Sequence, residues 1–246
     1  MTSFLRFTIF APLASWGDPA VGEIRGSWDR PSRSAILGLI AAALGIPRED
    51  DAGHLRLDSS LGTAVRLLAP GTPLVDYHTT QNPKASVVKK GKPSTRRIAL
   101  ALDEPATALS RRWLRQDALY SAAVWLRPNA TIVLERLTQA LQAPSFTLYA
   151  GRKANALGLP LSPSVVMADS LAEALRDEPL LPESFTALRP REGWGMEVAH
   201  DACDGFEPAL VAERSLSRRD AAPVRSRWQF SDRTVYYGRI PSGPSR

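Results

Sequence analysis

The apolar and polar positions of the chain alternate in some segments with the two-residue period of a strand and recur in others at helical spacing. Residues Phe4–Phe10 alternate and are rich in aromatic and branched side chains, which predicts a first strand. Similar segments predict further strands at 63–68, 73–77, 118–126 and 146–149. Two short strands are predicted near the C-terminus, at 196–198 and 233–237.

Helices are predicted by start and stop signals as well as by spacing. The apolar run Ala35–Leu44 follows Ser32, which can cap a helix, and precedes Gly45, which can adopt the left-handed conformation after its end. A helix that is apolar on nearly every side has to be buried, and Gly38 would let a neighbouring group approach it closely. Further helices are predicted over 133–141 and 170–176.

The order of these elements is β-α-β, an excursion, and again β-α-β, which predicts an α+β, ferredoxin-like (RRM-like) domain over residues 1–152. The excursion, about residues 81–115, carries six basic residues and no acidic one between Lys84 and Arg97. That composition favours an exposed, mobile segment. It is either a solvated surface loop or, because no acid compensates its charge and it contains Val87-Val88, an arm that packs on a partner.

The pattern changes after residue 152. Residues 153–240 are expected to form a small β-rich C-terminal lobe, and residues 241–246 a disordered tail. Within 214–246 there are eight arginines against two aspartates.

Composition narrows the classes of function. The 246 residues carry 31 Lys and Arg against 25 Asp and Glu, a net charge of +6, which favours a polyanionic partner, either nucleic acid or an anionic membrane surface. Cys203 is the only cysteine, which excludes an intramolecular disulfide and a cysteine-rich zinc site and favours a reducing cytoplasm. The longest apolar run is about half of the roughly 20 residues that a membrane helix needs. We expect no metal, no cofactor and no membrane partner.

The segment Asp76–Gln81 could support nucleic-acid chemistry. A metal-independent ribonuclease needs a base for the 2′-hydroxyl, an acid for the leaving oxygen and a cation for the charge that develops at phosphorus. Tyr77 or His78 with a nearby lysine could supply these groups. The alternative, which we favour, is that Tyr77 packs and that His78 makes an ordinary hydrogen bond or touches RNA without reacting.

Five segments occur in the order found in a known family: Ala11–Gly17, Arg30–Ile46, Asp76–Thr79, Leu119–Leu126 and Leu148–Lys153. Together they resemble family five of the CRISPR-associated proteins, whose type I-E members are the CasD subunits of Cascade. The likeness covers residues 1–165 well. Beyond them only Arg227–Val235 is similar.

The resemblance implies a ferredoxin-like body with a long basic thumb, which would be the excursion at 81–115. It implies a ribonucleoprotein subunit that binds the 5′ handle of CRISPR RNA, beside the backbone subunit CasC and the large subunit CasA. Target DNA would be contacted indirectly, through the complex. The thumb would be mobile in the isolated protein and become ordered on RNA and a neighbouring subunit.

Two departures from the family pattern bear on activity. Lys153 leads into Ala154-Asn155-Ala156, where the family often has Ser-Cys-Pro. Type I-C relatives that process CRISPR RNA use a tyrosine and an adjacent Lys-His pair, and this chain has no Lys-His dipeptide. We therefore expect a non-catalytic, handle-binding subunit. An endoribonuclease centred on Tyr77 and His78 is the alternative, and a generic basic RNA-binding domain is a third possibility.

Thirteen residues are expected to contact RNA through phosphate pairing, base stacking or the N-terminus of the first helix. Arg33 and Ser34 are expected in the exposed first turn of that helix. The thirteen are Trp16, Arg25, Arg33, Ser34, Tyr77, His78, Lys84, Lys89, Lys90, Arg96, Arg97, Arg152 and Lys153.

Overall fold

The computed structural model describes residues 1–17, 20, 22–188 and 194–242. Its helices are α1 (Arg33–Ala43), α2 (Asp51–Ser60), α3 (Ala85–Gly91), α4 (Arg96–Ala101), α5 (Leu134–Gln142) and α6 (Leu171–Ala174), with a 3-10 helix at Glu183–Leu188. Its strands are β1 (Thr2–Ala14), β2 (Trp16–Gly17), β3 (Ile24–Arg25), β4 (Ser27–Trp28), β5 (Leu61–Ala69), β6 (Thr72–Asn82), β7 (Ala106–Leu126), β8 (Ser164–Ala168), β9 (Glu197–His200), β10 (Val211–Val224) and β11 (Gln229–Arg239).

Nine of the strands in the described residues form one sheet with the order β10-β11-β9-β5-β7-β1-β8, to which β3 and β6 add along β7. The pairings are antiparallel except that of β3 with β7. Strand β7 has two halves with different partners. Its second half lies between β1 and β5, while its first half pairs with β6 as a long hairpin.

The two faces of the sheet are covered by different elements. On one face, α1, α2 and α5 bury Ile36, Leu57 and Leu137 against strand residues such as Phe7 and Tyr120. On the other face, α6 and the loops that follow it cover a second set of apolar side chains, and the 3-10 helix covers a third. Within the described ranges no helix is long and apolar enough to cross a membrane.

The signals that predicted α1 are confirmed. The Ser32 side chain accepts a hydrogen bond from the Ala35 amide, and Gly45 follows the helix with φ +75°. Gly38 allows a close approach, because a Cβ there would lie 2.7 Å from a guanidinium nitrogen of Arg225. The helix therefore presents a smooth face to the C-terminal part of the chain.

The excursion is more regular than the sequence predicted. Strand β6 continues to Asn82 and β7 begins at Ala106, so only 83–105 lies outside the ladder, and this tip contains α3 and α4. The excursion predicted over about 81–115 is therefore shorter than expected, because residues 81–82 and 106–115 belong to paired strands. The predicted strand at 73–77 lies within β6. The rest of the hairpin was not predicted because most of its side chains are exposed, and burial is what produces a clear alternation of apolar and polar residues.

The predicted strand at 146–149 is also wrong. Only Tyr149 makes an isolated bridge, to Ala156, and the strand that pairs with β1 after α5 is β8. Phe146 and Tyr149 are 47% and 39% exposed. Their ring side chains suit a strand by propensity, but here they lie on the surface.

The C-terminal residues 153–240 do not form a sheet of their own. Strand β8 pairs with β1, and β9 pairs with β5, so they extend the first sheet at both ends. The predicted elements at 170–176, 196–198 and 233–237 correspond to α6, β9 and β11. Of the tail predicted at 241–246, residues 243–246 lie outside the described residues.

Candidate nucleic-acid interface

A cleft of about 1090 Å³ lies between α1 and the C-terminal β10–β11 hairpin. Its floor is the smooth face of α1, with Ala35, Gly38 and Leu39. One wall is the turn at Gly151–Arg152, and the other is formed by residues of the segment 219–230. The cleft thus joins parts of the chain that are distant in sequence.

The wall at Gly151 requires a glycine. Its φ is +84°, and a Cβ at this position would lie 1.7 Å from the carbonyl oxygen of Ser15. The Ser15 amide donates to the Ala150 carbonyl at 3.1 Å, which holds the turn against the end of β1. Because the backbone at Gly151 packs directly against Ser15, the side chain of the next residue, Arg152, can line the cleft.

Four arginines line the cleft, namely Arg25, Arg152, Arg219 and Arg225. None of the four forms an ion pair with a carboxylate of the described residues. Arg225 donates to the Ser34 carbonyl at 3.2 Å, and Arg219 donates through Nε to the Phe230 carbonyl at 3.2 Å. Neutral carbonyls position these guanidinium groups without cancelling their charge.

The positive charges are crowded. Burial, followed by the like charge of Arg48, lowers the pKa of Arg225 from its ordinary value. Burial, followed by the like charge of Arg112, lowers the pKa of Arg152. A bound anion would offset both the desolvation and the repulsion, so the free cleft favours a negatively charged ligand.

Exposed aromatic rings adjoin the arginines. Trp228 is 51% exposed, and its indole stacks on Phe230 with 6.2 Å between ring centroids. The Arg48 guanidinium lies 4.1 Å from the centre of the Trp228 ring. Flat rings beside cations suit unpaired nucleobases attached to phosphates.

Among the residues that the structure describes, Asp220 is the one carboxylate that lines the cleft, and it is already neutralised. It accepts hydrogen bonds from the Arg233 guanidinium and, at 3.1 Å, from the backbone amide of Arg33. Asp220 is also buried. It therefore does little to repel an anion in the cleft.

Four of the thirteen predicted residues meet at the cleft, namely Trp16, Arg25, Ser34 and Arg152. Trp16 is only 1% exposed, and its Nε1 donates to the Tyr120 hydroxyl at 2.9 Å. Its ring faces are not available for base stacking, contrary to expectation. The expected exposed ring belongs instead to Trp228.

Arg33 corrects the sequence prediction most clearly. Its side chain is 4% exposed and is bound by the carboxylates of Asp201 and Asp58 and by the Leu61 carbonyl at 2.9 Å. The Asp220 carboxylate occupies the helix N-terminus where a phosphate was expected. The expectation of an exposed phosphate ligand at Arg33 is therefore wrong.

The five predicted thumb cations lie at the tip of the β6–β7 hairpin, and Lys153 is exposed without lining the cleft. Lys84 pairs with Asp103 at 3.3 Å, and Arg96 donates to the Gln81 carbonyl and to Asn82. No ion pair within the described chain involves the remaining three cations, Lys89, Lys90 and Arg97.

Tyr77 and His78 are brought to opposite faces of the hairpin, because they are successive residues of β6. Tyr77 lies opposite Arg111, whereas His78 lies opposite Ser110 and pairs with Asp76. The two side chains proposed for a nuclease centre therefore do not converge. Among the described residues, no three His, Cys, Asp or Glu side chains form a group that could hold a metal ion.

Sequence reasoning missed the second wall of the cleft, with Arg219, Arg225, Trp228 and Phe230. The available signal was the excess of arginine in 214–246. What the sequence did not reveal is that this segment folds back onto α1.

A family model described as "CRISPR-associated protein (Cas_Cas5)" matches residues 4–236, and the chain belongs to this family. The "CRISPR system Cascade subunit CasD" of Escherichia coli (strain K12) is 31% identical over 183 residues, covering 71% of this chain and 76% of that relative. The resemblance predicted from the sequence is confirmed.

Two solved structures are similar to the whole chain. A chain of a "CRISPR RNA-guided surveillance complex" has a TM-score of 0.62 and 23% identity, covering 100% of this chain and 95% of that chain. A structure described as "Crystal structure of Cas protein" has a TM-score of 0.59 and 27% identity, covering 97% of this chain and 95% of that chain. The mixed α/β fold with a large antiparallel sheet is therefore shared with other CRISPR-associated proteins.

Proposed function

We propose that this protein is a non-catalytic subunit of a Cascade-type CRISPR complex and that its arginine cleft holds the 5′ handle of CRISPR RNA. The observation that carries the proposal is the cleft with four arginines that lack carboxylate partners within the described residues. Family membership and the likeness to a Cascade subunit supply the biological setting.

The topology supports a ferredoxin-like body. Four neighbouring strands have the order β8-β1-β7-β5, all antiparallel, and α1 and α5 lie in the two crossover connections on one face. This is the arrangement of a split βαβ unit. The β6–β7 hairpin with its helical tip would be the thumb, inserted between the second and third strands of that unit.

The cleft suits a single RNA strand that turns sharply. The four cleft arginines, Arg25, Arg152, Arg219 and Arg225, would bind phosphates. The apolar floor on α1 and the Trp228 ring would receive the unpaired bases. In double-stranded RNA the bases are paired and stacked on one another, so their faces would not be free to lie against this floor. We therefore assign the cleft to an unpaired segment such as a 5′ handle.

The partners proposed here are those that the family resemblance implies. The backbone subunit CasC and the large subunit CasA would lie beside the handle, with target DNA contacted through the assembled complex. Lys89, Lys90 and Arg97 at the thumb tip would follow a second stretch of phosphates. The separation of Tyr77 from His78 supports a binding role rather than cleavage of the RNA.

Equilibrium binding to a fluorescent 5′-handle RNA tests the cleft directly. We expect Arg152→Gln with Arg219→Gln to weaken binding by at least roughly tenfold, because one charged hydrogen bond contributes about 1.5–3 kcal/mol. Arg136→Gln, on the exposed side of α5, is the matched control and should bind as the unmodified protein does. Equal affinities for the double variant and the control would contradict the assignment.

A further inference from the structure

The turn that joins β10 to β11, residues 225–228, depends on contacts outside its own two strands. The β10–β11 ladder is irregular next to the turn, with two register shifts between Arg218 and Val224. Within the turn, the Trp228 amide donates to the Arg225 carbonyl at 3.2 Å. Because bulges of this kind bend and twist a hairpin, the ladder alone does not determine where the turn lies.

Asp51, the first residue of α2, binds this turn from outside the hairpin. One of its carboxylate oxygens accepts from the Ser226 amide at 2.9 Å, and the other accepts from the Ser226 hydroxyl at 2.6 Å. The support behind Asp51 is fixed, because the Asp50 side chain caps α2 through the Gly53 amide at 2.8 Å. Leu57 of the same helix is buried in the core. The carboxylate therefore fastens the turn to the N-terminal end of α2.

Asp51 is charged but lies outside the cleft. The cleft lining includes Arg225 and Trp228 but neither Asp51 nor Ser226. Hydrogen bonds from the Ser226 hydroxyl and amide lower the pKa of Asp51, so its carboxylate is ionised near neutral pH. By charge alone, an anion beside an RNA site would weaken binding. A favourable effect of Asp51 on RNA binding would therefore have to act through the turn.

The turn presents two side chains to the cleft. The Arg225 guanidinium donates to the Ser34 carbonyl and lies 5.3 Å from the centre of the Trp228 ring, while that of Arg48 lies 4.1 Å from it. Trp228 has φ +52°, a left-handed conformation that is uncommon for so bulky a residue. Such a backbone conformation persists only where surrounding contacts hold it, and the contact of Asp51 with Ser226 is one of these.

We propose that Asp51 is a positioning residue for the RNA cleft, which acts through Ser226 to hold the turn so that Arg225 and Trp228 face the bound RNA. This inference rests on the proposed function, because it takes the cleft to be the handle site. It adds that an acidic side chain supports the binding of a polyanion, the reverse of the direct effect of its charge. Helix α2 thereby contributes to the RNA site without contacting RNA.

Equilibrium binding of handle RNA near neutral pH tests the sign of this effect. We expect Asp51→Ala to weaken binding roughly tenfold, the loss expected when one stacked base is no longer supported. Glu49→Ala is the matched control, because Glu49 is exposed on the same segment, lies outside the cleft lining and carries the same charge. The control should bind at least as tightly as the unmodified protein. Unchanged or tighter binding by Asp51→Ala would overturn the proposal.

Ser226→Ala separates positioning from a loss of stability. It removes only the hydroxyl hydrogen bond, at an exposed residue, and should weaken RNA binding without lowering the melting temperature. Added to Asp51→Ala it should have no further effect, because both changes break the same contact. Additive losses would show that the two side chains act independently and would contradict the proposal. If Asp51→Ala melts early, Ser226→Ala decides alone, and unchanged RNA affinity of that variant would overturn the proposal.

Trypsin digestion of the RNA-free protein measures the contact itself. Without Asp51 the turn should open more often, so cleavage after Arg227 should be several times faster in Asp51→Ala than in Glu49→Ala. Equal cleavage rates would show that Asp51 does not hold the turn. If the unmodified protein binds no handle RNA, the proposed function fails and this inference fails with it. If the unmodified protein and every variant bind RNA equally well, this inference alone is wrong.

Discussion

At the scale of single residues, burial separates the arginines that hold the fold together from those available to RNA. Arg33 and Arg233 both bind the carboxylate of Asp201, which is 3% exposed and also accepts from the Thr63 amide at 2.8 Å. Arg152 and Arg225 have no such carboxylate partner among the described residues. Arg33 and Arg233 therefore stabilise the fold, whereas Arg152 and Arg225 line the cleft.

Arg33→Ala should destabilise the fold and leave the RNA site intact. The substitution removes the donor to the Leu61 carbonyl and one of the cations on Asp201, which keeps Arg233 as a close partner. Losing hydrogen bonds to such buried acceptors costs about 1–3 kcal/mol. Urea unfolding measures the loss, with Arg136→Ala as the exposed control. A variant of normal stability that no longer binds handle RNA would show instead that Arg33 is an RNA ligand.

His200 should make stability depend on pH. Burial lowers its pKa, and its Nδ1 donates to the Asp201 carbonyl at 2.7 Å. Below about pH 6.5 the unfolded chain therefore binds more protons at this site than the folded chain, so stability falls as pH falls. As pH falls from 7.5 to 5, the melting temperature should decline less steeply for His200→Asn than for the unmodified protein. His54 is shifted in the same direction, so some slope should remain; an unchanged slope would contradict a neutral, buried His200.

The residue-scale predictions from sequence succeeded where the cause is local. The Ser32 cap depends on a residue three positions along the same chain, Ala35. The open face at Gly38 depends only on the absence of a side chain there. The role of Arg33 was wrong because its partners Asp201 and Asp220 are 168 and 187 residues away. A pattern of neighbouring residues cannot indicate an ion pair or hydrogen bond between residues so far apart in the sequence.

At the scale of elements, the β6–β7 hairpin combines a regular ladder with a weakly packed tip. Eleven residues of β6 pair continuously with β7, from Thr72 with Gln116 to Asn82 with Ala106. In α3 and α4, by contrast, Ala99 is the one buried residue. The sequence predicted a mobile segment because its charge is unbalanced, but that argument applies only to the tip.

Limited trypsin digestion should distinguish the two parts of the hairpin. In the isolated protein we expect early cleavage at Lys89, Lys90 and Arg97, because so little buried surface opposes local opening of the tip. Arg111 and Arg112 in the ladder should resist cleavage for longer. Assembly with RNA should protect the tip, and equal resistance of tip and ladder before assembly would contradict this division.

At the scale of the whole molecule, one sheet contains strands from both the N-terminal and the C-terminal parts of the chain. Strand β9 joins β5, and the β10–β11 hairpin continues from it to form the second wall of the cleft. The sequence predicted the elements α6, β9 and β11 but assigned them to a separate lobe, because pairing between distant strands leaves no periodic signal. The family likeness was also weakest beyond residue 165, the region that supplies this wall.

The central claim is that handle RNA lies in the cleft between α1 and the C-terminal hairpin. Ultraviolet crosslinking of the assembled complex, followed by trypsin and mass spectrometry, tests it because the relevant aromatic residues fall in different peptides. We predict RNA adducts on peptides 137–152 and 228–233, which contain Tyr149 and Trp228. Adducts confined to peptides 67–84 and 113–115, which contain Tyr77 and Trp113 of the β6–β7 hairpin, would contradict the account.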